Sequence, residues 1–149
     1  MSEQKAATQK EAGKHDAIPH GTICWSELAS KDLAAASKFY KELFGWTIKG
    51  GNVTNADSDA AEMNYSEVVI GGKPVGGMYQ ITGRMGGMPS NWSTYVSVDD
   101  VDASAKRVEE LGGSVVMPPM DIPQVGRFCI IKDPSGATIQ MITLSDTQR

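Results

Sequence analysis

Only two cysteines and two histidines occur in the 149 residues. Cys24 and Cys129 cannot form a disulfide framework or a metal-spaced cluster. Both lie in apolar, strand-like runs, the habit of small buried hydrophobes. Arg127, two residues from Cys129, is the one basic neighbour that could activate a thiol. Basic excess is missing too. A net charge of -4 leaves no electrostatic footprint for nucleic acid. No apolar run approaches the roughly 20 residues that span a bilayer. No phosphate-binding glycine loop stands between a strand and a helix, and no Ser-His-Asp set is usably placed. The N-terminus has no apolar signal core, so the expected compartment is the cytoplasm.

What is present is a repeat. Asp32-Leu-Ala-Ala-Ala-Ser-Lys-Phe-Tyr-Lys-Glu-Leu-Phe-Gly45 lies over Asp100-Val-Asp-Ala-Ser-Ala-Lys-Arg-Val-Glu-Glu-Leu-Gly-Gly113, 68 residues on, with six identities in fourteen positions. Such self-similarity signals one supersecondary unit used twice. Each copy reads as a helix. Asp32 caps the first, and Leu33, Ala36, Tyr40 and Leu43 form its apolar stripe, with Gly45 ending it. The second is expected over Asp100–Leu111. Strand patterns cover Thr22–Leu28, Trp46–Lys49, Glu67–Ile70, Val75–Gln80, Ser93–Val98, Ser114–Met117, Gly126–Lys132 and Ala137–Thr143. Each half therefore reads βαβββ. Residues 1–19 read as a disordered leader, and 20–149 as one domain with modules at about 20–82 and 91–144.

Three motifs in this order resemble the vicinal oxygen chelate superfamily, which includes glyoxalase I, bleomycin-resistance proteins and extradiol dioxygenases. They are Asp32…Phe39-Tyr40…Leu43-Phe44-Gly45-Trp46, then Val98-Asp-Asp-Val-Asp102…Leu111-Gly-Gly113, then Gly126-Arg127…Lys132-Asp-Pro-Ser-Gly-Ala137…Gln140. The opening Cys24-Trp-Ser-Glu-Leu28 is similar to a small glyoxalase-like branch of that group. The resemblance implies an α+β fold in which two tandem modules curl into a shared mixed-sheet cup with helices outside. It also implies, in metal-dependent members, a divalent ion held by four strand positions. Here those positions are Trp25, one of Gly76, Gly77 or Met78, then Ser93 and Gln140. Indole, thioether, hydroxyl and neutral amide do not make the imidazole and carboxylate shell such ions prefer. No metal and no other cofactor is expected.

Strand alternation puts Trp25 with Glu27, Ser93 with Tyr95, and Thr138 with Gln140. With Met78 these are the expected cup lining, an apolar and aromatic site with a few polar groups. Glu27 is expected either to pair with a base such as Arg127, also a candidate ligand contact, or to act as a general base beside Tyr95. The expected function is therefore binding of a small, planar or aromatic molecule. Alternatives are a metal-independent lyase or isomerase using Glu27, and a metal-dependent glyoxalase or dioxygenase. The partners expected are a small molecule and a second copy of the chain, with neither nucleic acid nor membrane.

Overall fold

The computed structural model describes residues 18–50, 65–83 and 87–145. The expected leader, except residues 18 and 19, lies outside the described residues. In chain order the elements are β1 (Ile23–Ser30), α1 (Leu33–Phe44), β2 (Thr47–Gly50), β3 (Ser66–Ile70) and β4 (Lys73–Gln80), then β5 (Asn91–Ser97), α2 (Val101–Val108), β6 (Ser114–Ile122), β7 (Gly126–Lys132) and β8 (Thr138–Leu144). This is the α+β order of two successive βαβββ runs.

Two compact units divide the chain: Trp25–Thr94, and Tyr95 onward with the residues before Trp25. In the first, the strand order is β2-β3-β4-β1. β1 runs parallel to β4, while β2, β3 and β4 pair antiparallel. In the second, the order is β5-β8-β7-β6, again with one parallel pair, β5 with β8. Chain preceding β1 joins this unit through Gly21 N–H to Ser97 O at 2.7 Å and Ser97 N–H to Thr22 O at 2.8 Å.

Local sequence explains both helices. Asp32 Oδ1 accepts from Ala35 N–H at 3.0 Å, satisfying one of the orphan donors of the first turn of α1. Gly45 stops the helix in the left-handed region at φ 70°, its N–H reaching Lys41 O. Asp100 repeats the cap on Ala103 N–H at 3.1 Å. The second helix is shorter than expected and ends at Val108. Gly113 N–H returns to Val108 O, so the chain turns out of the helix before Leu111, which is exposed. The expected stripe of α1 also stops short, for Leu43 is 59% exposed. Ten residues at 3.6 per turn carry it about 80° round from Leu33.

Each sheet buries one face beneath its own helix. Leu33 of α1 packs with Leu28, Val68 and Met78 of the strands, and Ala36, Tyr40, Trp46 and Ile48 pack against them. Val101 and Val108 of α2 pack with Val98, Cys129 and Met141. Met78 has 0% exposure, so truncating it leaves a cavity in the α1 core. Met78→Ala should cost about 2–5 kcal/mol in urea unfolding. Asp100→Ala, which removes only a cap, should cost about 1 kcal/mol. Equal costs would contradict this placement of the core.

Candidate functional site

In the Trp25–Thr94 unit, alternation sends the other set of side chains away from α1. Glu27 lies opposite Gly77, Gly77 opposite Glu67, and Glu67 opposite Lys49, so one row crosses four strands. Trp25 precedes Glu27 by one strand period, and Tyr79 follows Gly77 by one. Tyr65 enters over this row from the residue just before β3. Trp25 Nε1–H donates to Tyr65 Oη at 3.0 Å, and the Tyr65 hydroxyl is hydrogen-bonded to Glu27. The rings of Tyr65 and Tyr79 stack, with centroids 6.5 Å apart and planes 14° off parallel.

Glycine at 77 makes this arrangement possible. A Cβ there would collide with the Tyr65 hydroxyl and its ring. The first unit thus lacks a side chain at the position of β4 beside Glu27, and a phenol occupies that space.

Electrostatics follow from burial around one carboxylate. Glu27 is 9% exposed. Tyr65 is held well above the usual phenol range, first by burial, then by the charge of Glu27 and its hydrogen bond, against the opposing donation from Trp25. Tyr79 is pushed up to about 12, again by burial first and by the Glu27 charge second. Both phenols therefore stay protonated at neutral pH, and each can donate.

The expected residues fall into separate places. Trp25 and Glu27 come together, as alternation predicts, because both reach Tyr65. Ser93 belongs to the same unit, its hydroxyl donating to Asn91 Oδ1 at 3.2 Å. In the other unit Tyr95 and Gln140 are neighbours on the parallel β5–β8 pair, and both are buried. Thr138, opposite Lys132 at the start of β8, is exposed.

Two expectations are corrected. Met78 does not share the face of Glu27. It pairs with Leu28 and is sealed in the α1 core, since β4 alternates in step with β1. Arg127 does not serve as the partner expected for Glu27. Its Nε–H and Nη2–H grip both oxygens of Asp102 at 2.8 and 3.0 Å, and Nη1–H reaches Asp121 at 3.2 Å. This bidentate hold, with Asp121 adding to it, raises the guanidinium further, and hydrogen bonding from Arg127 lowers Asp102. The thiols are not activated either, for burial pushes both Cys24 and Cys129 up.

Tyr65 and Tyr79 are residues that sequence reasoning passed over. Tyr79 shares the alternation of Gly77, a signal that was there to be read. Tyr65 lies outside any periodic run, and nothing local marks it. Among the described residues, no three of His, Cys, Asp and Glu gather as a cation site, and no helix is long and apolar enough to cross a membrane.

Comparison with known proteins adds the following. A family model described as Glyoxalase/Bleomycin resistance protein/Dioxygenase superfamily matches residues 18–141. A protein of Mycobacterium tuberculosis named "Putative glyoxylase CFP32" is 38% identical over 127 residues, covering 85% of this chain and 47% of that protein. The "Anthracycline biosynthesis protein DnrV" of Streptomyces peucetius is 36% identical, covering 78% of this chain and 45% of that protein. The chain thus spans about half the length of these curated relatives. Among solved structures, a Streptomyces coelicolor methylmalonyl-CoA epimerase bound to 2-nitronate-propionyl-CoA is similar with a TM-score of 0.61 at 16% identity, covering 85% of this chain and 99% of that one. This last likeness is one of fold.

The shared influence of Glu27 on two phenols gives a direct prediction. Tyr79 has a folded pKa raised above its unfolded value of about 10. Its contribution to stability is full below about 10 and is lost as pH rises towards about 12. In Glu27→Gln, phenolate absorbance of Tyr79 should appear at lower pH than in the wild type. The alkaline loss of melting temperature should shrink accordingly. An unchanged phenol titration would contradict the placement of Glu27 beside both rings.

Proposed function

The chain belongs to the Glyoxalase/Bleomycin resistance protein/Dioxygenase superfamily, and we propose that it binds a small, planar or aromatic molecule without a resident metal ion. The observation that carries this reading is a stacked pair of phenol rings beside a buried carboxylate and an indole, all on one sheet face. Aromatic walls with a few fixed polar groups are the usual composition of small-molecule sites. A relative named for anthracycline biosynthesis belongs to the chemistry of fused planar rings, which agrees with such a ligand.

Donor chemistry supports the metal-free part. Of the four positions the superfamily's metal-dependent members would use, the first is Trp25, whose indole nitrogen offers no lone pair. The β4 position facing with Glu27 is Gly77, which has no side chain. Ser93 and Gln140 supply neutral oxygens only. That set does not fit a divalent ion.

A second reading has its own observation. Glu27 is a buried carboxylate that accepts from a phenol with a fixed orientation, the arrangement of a general base held for proton abstraction. On this reading the chain is a metal-independent lyase or isomerase with Glu27 as its base. Glu27→Gln then abolishes turnover while binding persists. The chain is also taken as a homodimer, since symmetric pairs are the commonest assemblies, and its native mass reads this directly.

Acridone, a planar fluorescent heterocycle, is a suitable probe. Titrated into EDTA-treated protein, it should bind saturably, with energy transfer from tryptophan, and added zinc or nickel should not change its affinity. Trp25→Ala should weaken binding about tenfold, the loss expected of one aromatic contact and its buried area. Binding that appears only with added divalent ion, or none at all, would overturn the reading.

A further inference from the structure

In the first unit, strand β4 places Gly77 beside Glu27, whereas in the second, β8 places Gln140 beside Tyr95. The two positions correspond in the repeated βαβββ pattern, yet only one of them carries a side chain. At Gly77 the vacancy is filled by the Tyr65 phenol, which comes from outside the strand. The phenol oxygen accepts from Trp25 Nε1–H at 3.0 Å, and its single proton goes to Glu27. Both bonds run in one direction. The indole nitrogen is only a donor, so the phenol oxygen accepts there and its own hydrogen is left for Glu27.

We propose that Tyr65 is the positioning residue of this face, and that Gly77 is the residue that admits it. Tyr65 donates to the Glu27 carboxylate and helps to orient it. Carboxylate oxygens recognise a ligand by accepting. A ligand recognised at Glu27 therefore presents an N–H or O–H in the plane of its ring system, and an analogue without that hydrogen is discriminated against. Any larger residue at 77 expels the phenol and releases Glu27 from this constraint. The statement about ligand chemistry rests on the binding function proposed above; the seating of Tyr65 by Gly77 does not.

Two measurements on the full chain keep these apart. The first needs no ligand. In a 1H–15N spectrum the Trp25 indole resonance should move upfield in Tyr65→Phe, which removes the acceptor, and in Gly77→Ala, which displaces it. The Trp92 indole, bonded to Tyr40 Oη at 3.0 Å, should stay in place as an internal control. Gly77→Ala should lower the melting temperature in the wild-type background. In a Tyr65→Ala background, where the colliding ring is gone, it should cost little, a strong non-additivity for two residues in contact. An unmoved Trp25 indole, or an equal cost of Gly77→Ala in both backgrounds, overturns the seating of Tyr65.

The second measurement compares acridone with N-methylacridone, which differ by the ring N–H. The wild type should prefer acridone by about tenfold, the lower range for one hydrogen bond to a charged group. In Tyr65→Phe and Gly77→Ala that ratio should fall towards one. Retention of the full ratio in both variants would refute the positioning role while leaving the binding function intact. If the wild type binds neither compound, the binding function fails and the ligand chemistry with it, and the indole spectrum still decides whether Tyr65 sits over Gly77.

Discussion

The register between β1 and β4 governs everything else in the Trp25–Thr94 unit. Because Leu28 is paired with Met78, Glu27 must be paired with Gly77, and the two-residue period then assigns every side chain on both strands to a face. One face is spent on the core beneath α1. The other carries Trp25, Glu27, Glu67 and Tyr79. A slip of one residue would put a carboxylate under the helix and a methionine on the open side, a cost of several kcal/mol for the buried charge alone. The hydrophobic core thereby fixes the chemistry of the opposite face without touching it.

On that face the governing fact is a carboxylate with little access to water. Its surroundings are arranged to supply donors: Tyr65 hydrogen-bonds to it, and Trp25 holds Tyr65. Such networks are strong when complete and costly when broken, because each group left unpaired keeps its desolvation penalty. Charge compensation is handled differently in the other unit. There Arg127 is clasped by Asp102 at the start of α2 and by Asp121 on β6. Arg127 and Asp102 are partly exposed and Asp121 mostly so, and the ion pairs therefore contribute modestly to stability. Their consequence is to commit the guanidinium to its own unit's carboxylates.

How much of this was legible in the sequence depends on how local each feature is. The Asp32 and Asp100 caps and the Gly45 stop depend on residues within a few positions, and the repeat displays the cap twice. Strand order follows from the βαβββ resemblance. The pairing of Trp25 with Glu27 needed only alternation along one strand. Met78 was misplaced because Pro74-Val-Gly-Gly-Met78 has no apolar alternation to reveal its phase; only the pairing with β1 sets it. Arg127 was misassigned because its partners lie on other elements, and a salt bridge has no sequence signature at that range. Tyr65 was missed for a related reason. Its role depends on the absence of a side chain on a different strand, and a glycine in a strand reads as weakness before it reads as space.

The central claim is a site built from phenol, indole and carboxylate that works without a resident cation. Native mass spectrometry of the chain, purified with neither chelator nor affinity metal, tests it most directly. The predicted spectrum shows protein mass with no stoichiometric divalent ion, whatever organic mass accompanies it. One zinc, nickel, iron or manganese per chain, retained on dilution, would contradict the claim and return the chain to the metal-dependent chemistry of its superfamily.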